Sequence, residues 1–550
     1  MKKNLVLVLL LLMVLSSVSG CGKRQPLPEP TVSAARDLLT VSPAGQYPIT
    51  TARLELTVMA KTERNVENVW TNVFTEEYRE KTNVELIWHT VAPKSAAQQL
   101  NLTLGIGEEL PDLFLNMDIT GNQMVTYGMD RKLLVDLNPY LDRYAPNVRK
   151  MLEVHPILEK MITAPDGGIY ALPSVEESYH TAYPQKAWIY RPWLETLGLP
   201  VPTNLEELQH VLVAFRDQDP NGNGLQDEIP MTGAVTGWMT NPLDYLMSPF
   251  ILSSQTRRLN LDEGGQVTAP YDTPQWREGL IFINHLCEDD LLDPGAFFQD
   301  QNQLQQQVMA PENNRVGVVT AGALGAFLSP DHGSWSDWTA LPPMAGEDGA
   351  CVTVYIPLNV KIGAFAVSAD CPNPAAAVRW VDYFYSREGT LRATVGIEGK
   401  DWIPAAPGKL GLNGIQGSYV QLTPYAQMQN SCWRKMAPFF QPDDLRNRQV
   451  DPMENGEQMF YEVTKKLYAP YGKENLWQPL LFPPDQVEEL EATLFLLEEY
   501  VTDSDLRFIL GDWDPENDSA WDDYRRSLEE LGLPGVLKAC SEAYRNQYLQ

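Results

Sequence analysis

The chain reads as an α/β protein built on a parallel sheet with crossover helices and divided into more than one lobe. Between residues 54 and 115 apolar residues recur at strand, helix, strand, helix and strand spacing in turn, the signature of parallel strands joined by helices. At 550 residues the chain exceeds what one hydrophobic core normally fills. Its composition, 44% hydrophobic and 21% charged, is that of ordinary globular proteins.

Met1-Lys2-Lys3-Asn4 is a short basic start, and an almost unbroken apolar run from Leu5 to Val18 follows. Residues 1–20 therefore read as a secretory leader, too early and too short for a lasting membrane span. Its ending, Val18-Ser19-Gly20-Cys21, resembles the bacterial lipobox, in which the cysteine becomes the lipidated first residue of the mature chain. The plainer alternative is an ordinary leader with Cys21 incidental. Acyl chains on Cys21 would hold the protein to a membrane, since two or more suffice for stable anchoring. Residues 21–51, rich in Pro, Ser and Ala, read as a lipidated N-terminus and flexible tether. Cys287, Cys351, Cys371, Cys432 and Cys540 lack C-x-x-C spacing, so they read as buried thiols, not as a zinc site or disulfide framework.

The folded body opens with Leu54, Leu56 and Val58 alternating as a strand. A helix carrying Val69, Val73 and Tyr78 follows, then a strand with Val84, Leu86 and Trp88. A second helix over about residues 94–104 leads to a third strand at Pro111-Asp112-Leu113-Phe114-Leu115. Further on, Thr203 and Glu206 have the spacing of a capping box, and Leu205, Leu208, Leu212 and Phe215 share one helix face. Gly363 to Ser368 is a short apolar strand, and Asn373-Pro374 starts a helix carrying Val378, Val381 and Tyr385. From about Asp485 the segments are acidic and helical, with Leu490, Leu494 and Leu497 on one side and a solvated charged face opposite.

The stretch from Arg216 to Pro230 concentrates Asp, Asn and Glu oxygens around Gly222 and Gly224. A hard cation such as Ca²⁺ asks for about six to eight oxygens and a backbone that can wrap around it. Counted from Asp217, the loop matches the EF-hand spacing and closes at Glu228. Counted from Asp219, the ligands are Asp219, Asn221, Asn223, the Leu225 carbonyl, Asp227 and Glu228. A solvated Asn-Gly turn without metal is the alternative.

Net charge is −30, from 42 basic and 72 acidic residues, which disfavours nucleic acid as a partner. None of the six histidines falls in H-E-x-x-H, and there is no G-x-S-x-G elbow or GKS/GKT phosphate loop. Fourteen tryptophans suit a protein that stacks on flat apolar faces such as those of a pyranose, though most tryptophans serve packing. Trp402, after the glycine-rich Gly396-Ile397-Glu398-Gly399-Lys400-Asp401, and Trp238, just beyond the metal loop, are the candidate stacking residues. Glu398 and Asp118 are candidate hydroxyl acceptors, Asp118 because it follows the third strand at its carboxyl end, where open sheets bind ligands.

Several ordered motifs resemble the extracellular solute-binding proteins of family 1. They begin with Gly105-Ile106-Gly107-Glu108-Glu109-Leu110-Pro111-Asp112-Leu113, then Leu137-Asn138-Pro139-Tyr140-Leu141 and Asp166-Gly167-Gly168-Ile169-Tyr170-Ala171-Leu172-Pro173. Trp193 to Pro200, Arg379 to Tyr383, Gly396 to Trp402 and Trp521-Asp522-Asp523-Tyr524 continue the pattern. The Asp219–Pro230 loop looks like that of the oligosaccharide-binding lipoprotein branch. The resemblance implies a two-lobed periplasmic-binding-protein type II fold with a hinge between lobes. Residues 52–175 plus 360–403 would form the N-terminal lobe, and residues 176–359 plus 404–550 the C-terminal lobe. It further implies an extracytoplasmic, lipid-anchored protein that captures a carbohydrate and delivers it to ABC permease subunits, with structural Ca²⁺ and no catalysis. The rival functions are a surface enzyme acting on polysaccharide and a sensory lipoprotein partnering a receptor kinase.

Overall fold

Two sheets organise the chain, and the crossings between them decide where a ligand can sit. The computed structural model describes residues 40–550 apart from 254–256, 311–313, 330–331, 347–348, 426, 452–455, 477 and 550. The leader, Cys21 and most of the expected tether lie outside the described residues.

The first sheet has six strands in the order Phe440–Gln441, Leu172–Glu176, Asn359–Val367, Leu113–Leu115, Leu54–Lys61, Val84–Val91. Its N-terminal half is the expected parallel arrangement, with Leu54–Lys61 between Val84–Val91 and Leu113–Leu115. The crossover helix Val73–Thr82 starts at Asn72, whose side chain accepts from the Phe74 amide, and ends at Asn83 with φ 62°. Val69 falls before this helix. Asn359–Val367 departs from the parallel pattern, running antiparallel to both of its neighbours. Its backbone comes so close to Ile119 that a Cβ on Gly363 would lie 2.0 Å from the Ile119 carbonyl oxygen. Only glycine fits there.

An aromatic block closes one face of this sheet. Phe74 meets Trp433 with ring centroids 4.9 Å apart, and Phe384 meets Trp380 at 5.0 Å. Burying each such ring is worth on the order of 2–3 kcal/mol. Trp433 and the strand Phe440–Gln441 come from residues 404–550, a segment expected wholly in the other lobe. The chain instead returns to the first sheet, where Trp433 and Phe439 find apolar partners that no local pattern announces. The tether is also shorter than expected. Ile49 and Thr50 are buried, Ile49 N–H donates to the Thr82 carbonyl, and Arg379 Nε donates to the Pro43 carbonyl.

The second sheet runs Trp338–Leu341, Ala187–Tyr190, Val316–Thr320, Ile229–Thr232. Helix Leu205–Asp217 covers it with Leu205, Leu208, Leu212 and Phe215, all buried as their spacing requires. Its cap is shifted by one residue from the expected box: Asn204 accepts from the Glu207 amide, and Glu207 reaches back to the Thr203 amide at 2.8 Å. Each sheet with its flanking helices is one lobe of a two-lobed type II fold.

The C-terminal helices Pro484–Ile509, Asp518–Glu530 and Leu533–Tyr544 present charged outer faces, with one departure. Asp505 is buried, bonded to Arg258 at 2.5 Å and to the Trp276 indole at 2.9 Å. Among the described residues no helix is long and apolar enough to cross a membrane. Among the described residues the five cysteines are unbridged, and all but Cys351 are buried.

Candidate functional site: a cavity lined from both sheets

A cavity of about 930 Å³ takes its walls from both sheets. Glu176, Gln441 and Asn359 come from strands of the first sheet. Trp238 and Ala323 come from segments that follow strands of the second. This volume lies near the upper end of the range for small-molecule sites, roughly 300–1,000 Å³.

One wall is aromatic. Trp238, Trp335, Tyr355 and Phe460 line it, and the His180 ring meets Trp238 edge-on at 5.8 Å. Trp238 is 36% exposed and is fixed from behind by glycine. A Cβ on Gly322 would fall 2.5 Å from Trp238 Cε3, so the bare backbone lets the indole lie against it. The Gly322 amide also donates to the Trp238 carbonyl at 3.0 Å.

A charged cluster also lines the cavity. Glu176, at the end of Leu172–Glu176, accepts from Lys435 Nζ at 2.8 Å and from Arg446 Nε at 3.1 Å. Arg446 Nη1 donates to Gln449 Oε1 at 3.2 Å and Nη2 to Glu457 Oε2 at 2.7 Å. Burial pushes the Glu176 carboxyl up, but Lys435 and Arg446 outweigh it and bring it down to about 2. Burial drives His180 down to about 4 against the opposing pull of Glu457, leaving a neutral imidazole at physiological pH. Behind this wall burial brings Lys186 down to about 7. Its ammonium donates to the carbonyls of His180, at 2.9 Å, and Tyr183.

Of the four ligand candidates read from sequence, Trp238 lines the cavity and the others lie outside its lining. Trp402 packs against Leu391, Val395, Tyr419 and Leu445, and its indole donates to the Gly396 carbonyl at 3.1 Å. Tyr419, not Trp402, is the cavity-facing member of that cluster. Glu398 is exposed on the turn that bridges back to Trp402. Asp118 is exposed and bonded to Lys61, with Lys361 at 3.6 Å. Sequence reasoning missed Glu176, Lys435, Arg446 and Glu457. Glu176 stands three residues beyond Pro173, where a recognised motif ends. The other three are brought to it by chain crossings that leave no local mark.

The acidic loop forms a separate centre. Asp219 (φ 45°), Gly222 (φ 71°) and Gly224 (φ 77°) turn the backbone inward. Asp219 carboxylate oxygens accept from the Asn223 amide at 3.1 Å and the Gly224 amide at 2.9 Å. Asp227 accepts from the side-chain amide of Asn223 at 2.9 Å. Among the described residues no three His, Cys, Asp or Glu side chains converge as a metal cluster by themselves. The loop set differs in drawing also on Asn amide and Leu225 carbonyl oxygens, donors that suit a hard cation. Both carboxylate oxygens of Glu228 are buried without a hydrogen-bond partner. Burial, with the charges of Asp219 and Asp227, raises its pKa. An acid so placed is what a cation would satisfy, and the residues fit Ca²⁺.

Comparison with known proteins agrees with this architecture. The FusA substrate-binding protein of a fructooligosaccharide ABC transporter, from Streptococcus pneumoniae serotype 4 (strain ATCC BAA-334 / TIGR4), is 25% identical over 499 residues, covering 86% of each chain. The structure of S. pneumoniae FusA with kestose superposes with a TM-score of 0.75 at 23% identity, covering 90% of this chain and 99% of that one. A second FusA structure is an EF-hand mutant in complex with fructo-nystose. The alginate-binding protein AlgQ2, solved without calcium ion, shares the fold with a TM-score of 0.68 at 22% identity, covering 90% of this chain and 98% of that one. The profile of the bacterial extracellular solute-binding proteins matches residues 63–391, more than half of the chain. The chain belongs to the bacterial extracellular solute-binding protein family.

Proposed function

We propose that this protein captures an oligosaccharide in the cavity lined from both sheets and delivers it to the permease subunits of an ABC importer. The observation that carries this reading is the cavity itself, lined by aromatic rings and by a paired, hydrogen-bonding charged cluster. Aromatic faces stack on the apolar face of a sugar ring, and carboxylate oxygens accept from hydroxyls at its rim. The relatives support it: FusA is a fructooligosaccharide-binding component of an ABC transporter, and AlgQ2 binds alginate. Because the walls come from two lobes, closing the lobes about the ligand supplies the form that the permease would recognise.

No bond is broken in this scheme. A glycosidase needs one carboxyl held protonated as general acid. Here Glu176 and Glu457 are both held ionised by Arg446, Glu176 also by Lys435, so neither serves. We also infer that Ca²⁺ occupies the loop through Asp219, Asn221, Asn223, the Leu225 carbonyl, Asp227 and Glu228. The ion would tie the end of helix Leu205–Asp217 to strand Ile229–Thr232, away from the sugar. Cys21 carries the lipid that anchors the protein outside the cytoplasm.

A thermal-shift screen against a glycan library tests the capture reading, because a ligand bound only by the folded state raises the melting temperature. A rise with at least one oligosaccharide, without released products on incubation, is the expected result. No rise with any sugar removes carbohydrate as the ligand class, and product release removes the binding-only account.

A further inference from the structure

We infer that the cavity selects uncharged oligosaccharides and rejects those carrying uronate or other acidic groups. The inference rests on the oligosaccharide reading above and narrows it, because the cavity's charges cancel within its own wall.

Among the described lining residues the only Lys and Arg are Lys435 and Arg446, and the only Asp and Glu are Glu176 and Glu457. Two cations meet two anions, so the described lining carries no net charge. Each cation is also ion-paired within the wall. Every nitrogen of the Arg446 guanidinium already has an acceptor: Nε on Glu176 at 3.1 Å, Nη1 on Gln449 at 3.2 Å and Nη2 on Glu457 at 2.7 Å. Lys435 Nζ sits 2.8 Å from the other oxygen of Glu176. His180 adds no positive charge at physiological pH, since burial holds it neutral. Two further cations, Lys186 and Arg434, are fully buried. Lys186 donates to backbone carbonyls, as does Arg434, to those of Thr394 and Pro424, each at 3.2 Å.

A uronate carboxylate entering this site would lose its water and meet only cations already neutralised by Glu176 and Glu457, while standing near those carboxylates. Burying an unpaired charge in that way is strongly unfavourable. Sugar hydroxyls meet the opposite situation. Each carboxylate oxygen has two lone pairs, so an oxygen already bonded to Lys435 or Arg446 still accepts a hydroxyl proton. At longer range the chain's net charge of −30 repels polyanions before contact. Both effects favour a neutral ligand.

The test is calorimetric titration of the full chain with two sets of oligosaccharides of matched length. One set is neutral and includes kestose and fructo-nystose; the other comprises galacturonate and alginate oligomers. The expected result is binding confined to the neutral set, with an affinity that changes little between low and physiological salt. Acidic oligomers binding as tightly as neutral ones, with affinity falling as salt rises, would overturn the inference and leave the oligosaccharide reading intact. Failure of both sets and of the wider glycan library overturns the reading and the inference together. Two contrasts isolate the charge. Methyl-esterifying the galacturonate oligomers is expected to improve their binding. Glu457→Gln, checked for folding by circular dichroism, releases one face of Arg446 and is expected to raise affinity for galacturonate oligomers at least about tenfold. No gain in either contrast contradicts the account.

Discussion

In the cavity, Glu176 takes its cations from Lys435 and Arg446, separated from it by 259 and 270 residues of chain. In the Asp219–Glu228 loop three carboxylates come from one short stretch, and the arginine that approaches, Arg315, stands 3.8 Å from Asp227. The first region neutralises its own charges and keeps carboxylate lone pairs to offer. The second leaves Glu228 buried with both oxygens unpaired and its pKa raised. Such a difference separates a site for uncharged hydroxyls from a site for a cation. It also predicts that the two regions fail differently when their charges are removed.

The largest effect is expected at Glu176. Glu176→Gln leaves Lys435 and Arg446 without their shared carboxylate in a buried setting. Urea unfolding should show a loss of about 3–5 kcal/mol. Sugar binding should vanish with it. A loss below about 1 kcal/mol would mean that the wall is not organised by this charge. In the loop, by contrast, the effect should appear only with the ion. Asp219→Ala and Asp227→Ala are expected to abolish the rise in melting temperature on adding calcium, and Asp217→Ala to preserve it. Asp217 is exposed and its carboxylate is bonded to Arg216, so it lies outside the proposed ligand set. Equal damage from Asp217→Ala and Asp219→Ala would move the register of the loop to Asp217.

Aromatic residues give the next contrast. Trp238→Ala should weaken sugar binding about tenfold or more while leaving the fold intact. Trp402→Ala should do the reverse, lowering stability by about 2–4 kcal/mol with affinity changed little. Gly322→Ala tests the seat of the indole without deleting it: its Cβ forces Trp238 away, so affinity should fall though every ligand-facing side chain remains. Unchanged affinity would show that the indole's position is unimportant.

The smallest effects concern pH. The folded pKa of His180, about 4, lies below the ordinary value of 6.5, so the unfolded chain binds more protons between those values. The stability that His180 contributes is therefore lost as pH falls from about 6.5 towards 4, and His180→Gln should flatten this part of the profile. Glu228 has the opposite sign. Its raised pKa makes the calcium-free protein lose stability as pH rises through the carboxylate range, and calcium should remove that slope. Melting temperatures with calcium and with chelator, taken across pH, measure both.

Much of the fold is legible in the sequence because its signals are local. The alternation at Leu54, Leu56 and Val58 and the apolar face of Leu205, Leu208, Leu212 and Phe215 each lie within a few turns of chain, and each is buried as expected. The metal loop is legible for the same reason, since its oxygens are near neighbours. The cavity is not. Lys435 and Arg446 reach Glu176 only because the chain returns to the first sheet at Phe440–Gln441, a crossing set by packing around Trp433. Trp402 illustrates the converse error. A tryptophan after a glycine-rich turn reads as a stacking candidate, but the turn folds back to accept its indole N–H at Gly396, and Tyr419 lines the cavity instead.

The most direct test of the central claim is titration of one sugar, chosen as the largest riser of melting temperature in the glycan screen, into three proteins. Wild type and Trp402→Ala are expected to bind it with closely similar affinity, and Trp238→Ala about tenfold more weakly or not at all. Full affinity in Trp238→Ala together with loss in Trp402→Ala would place the sugar outside the cavity and contradict the account.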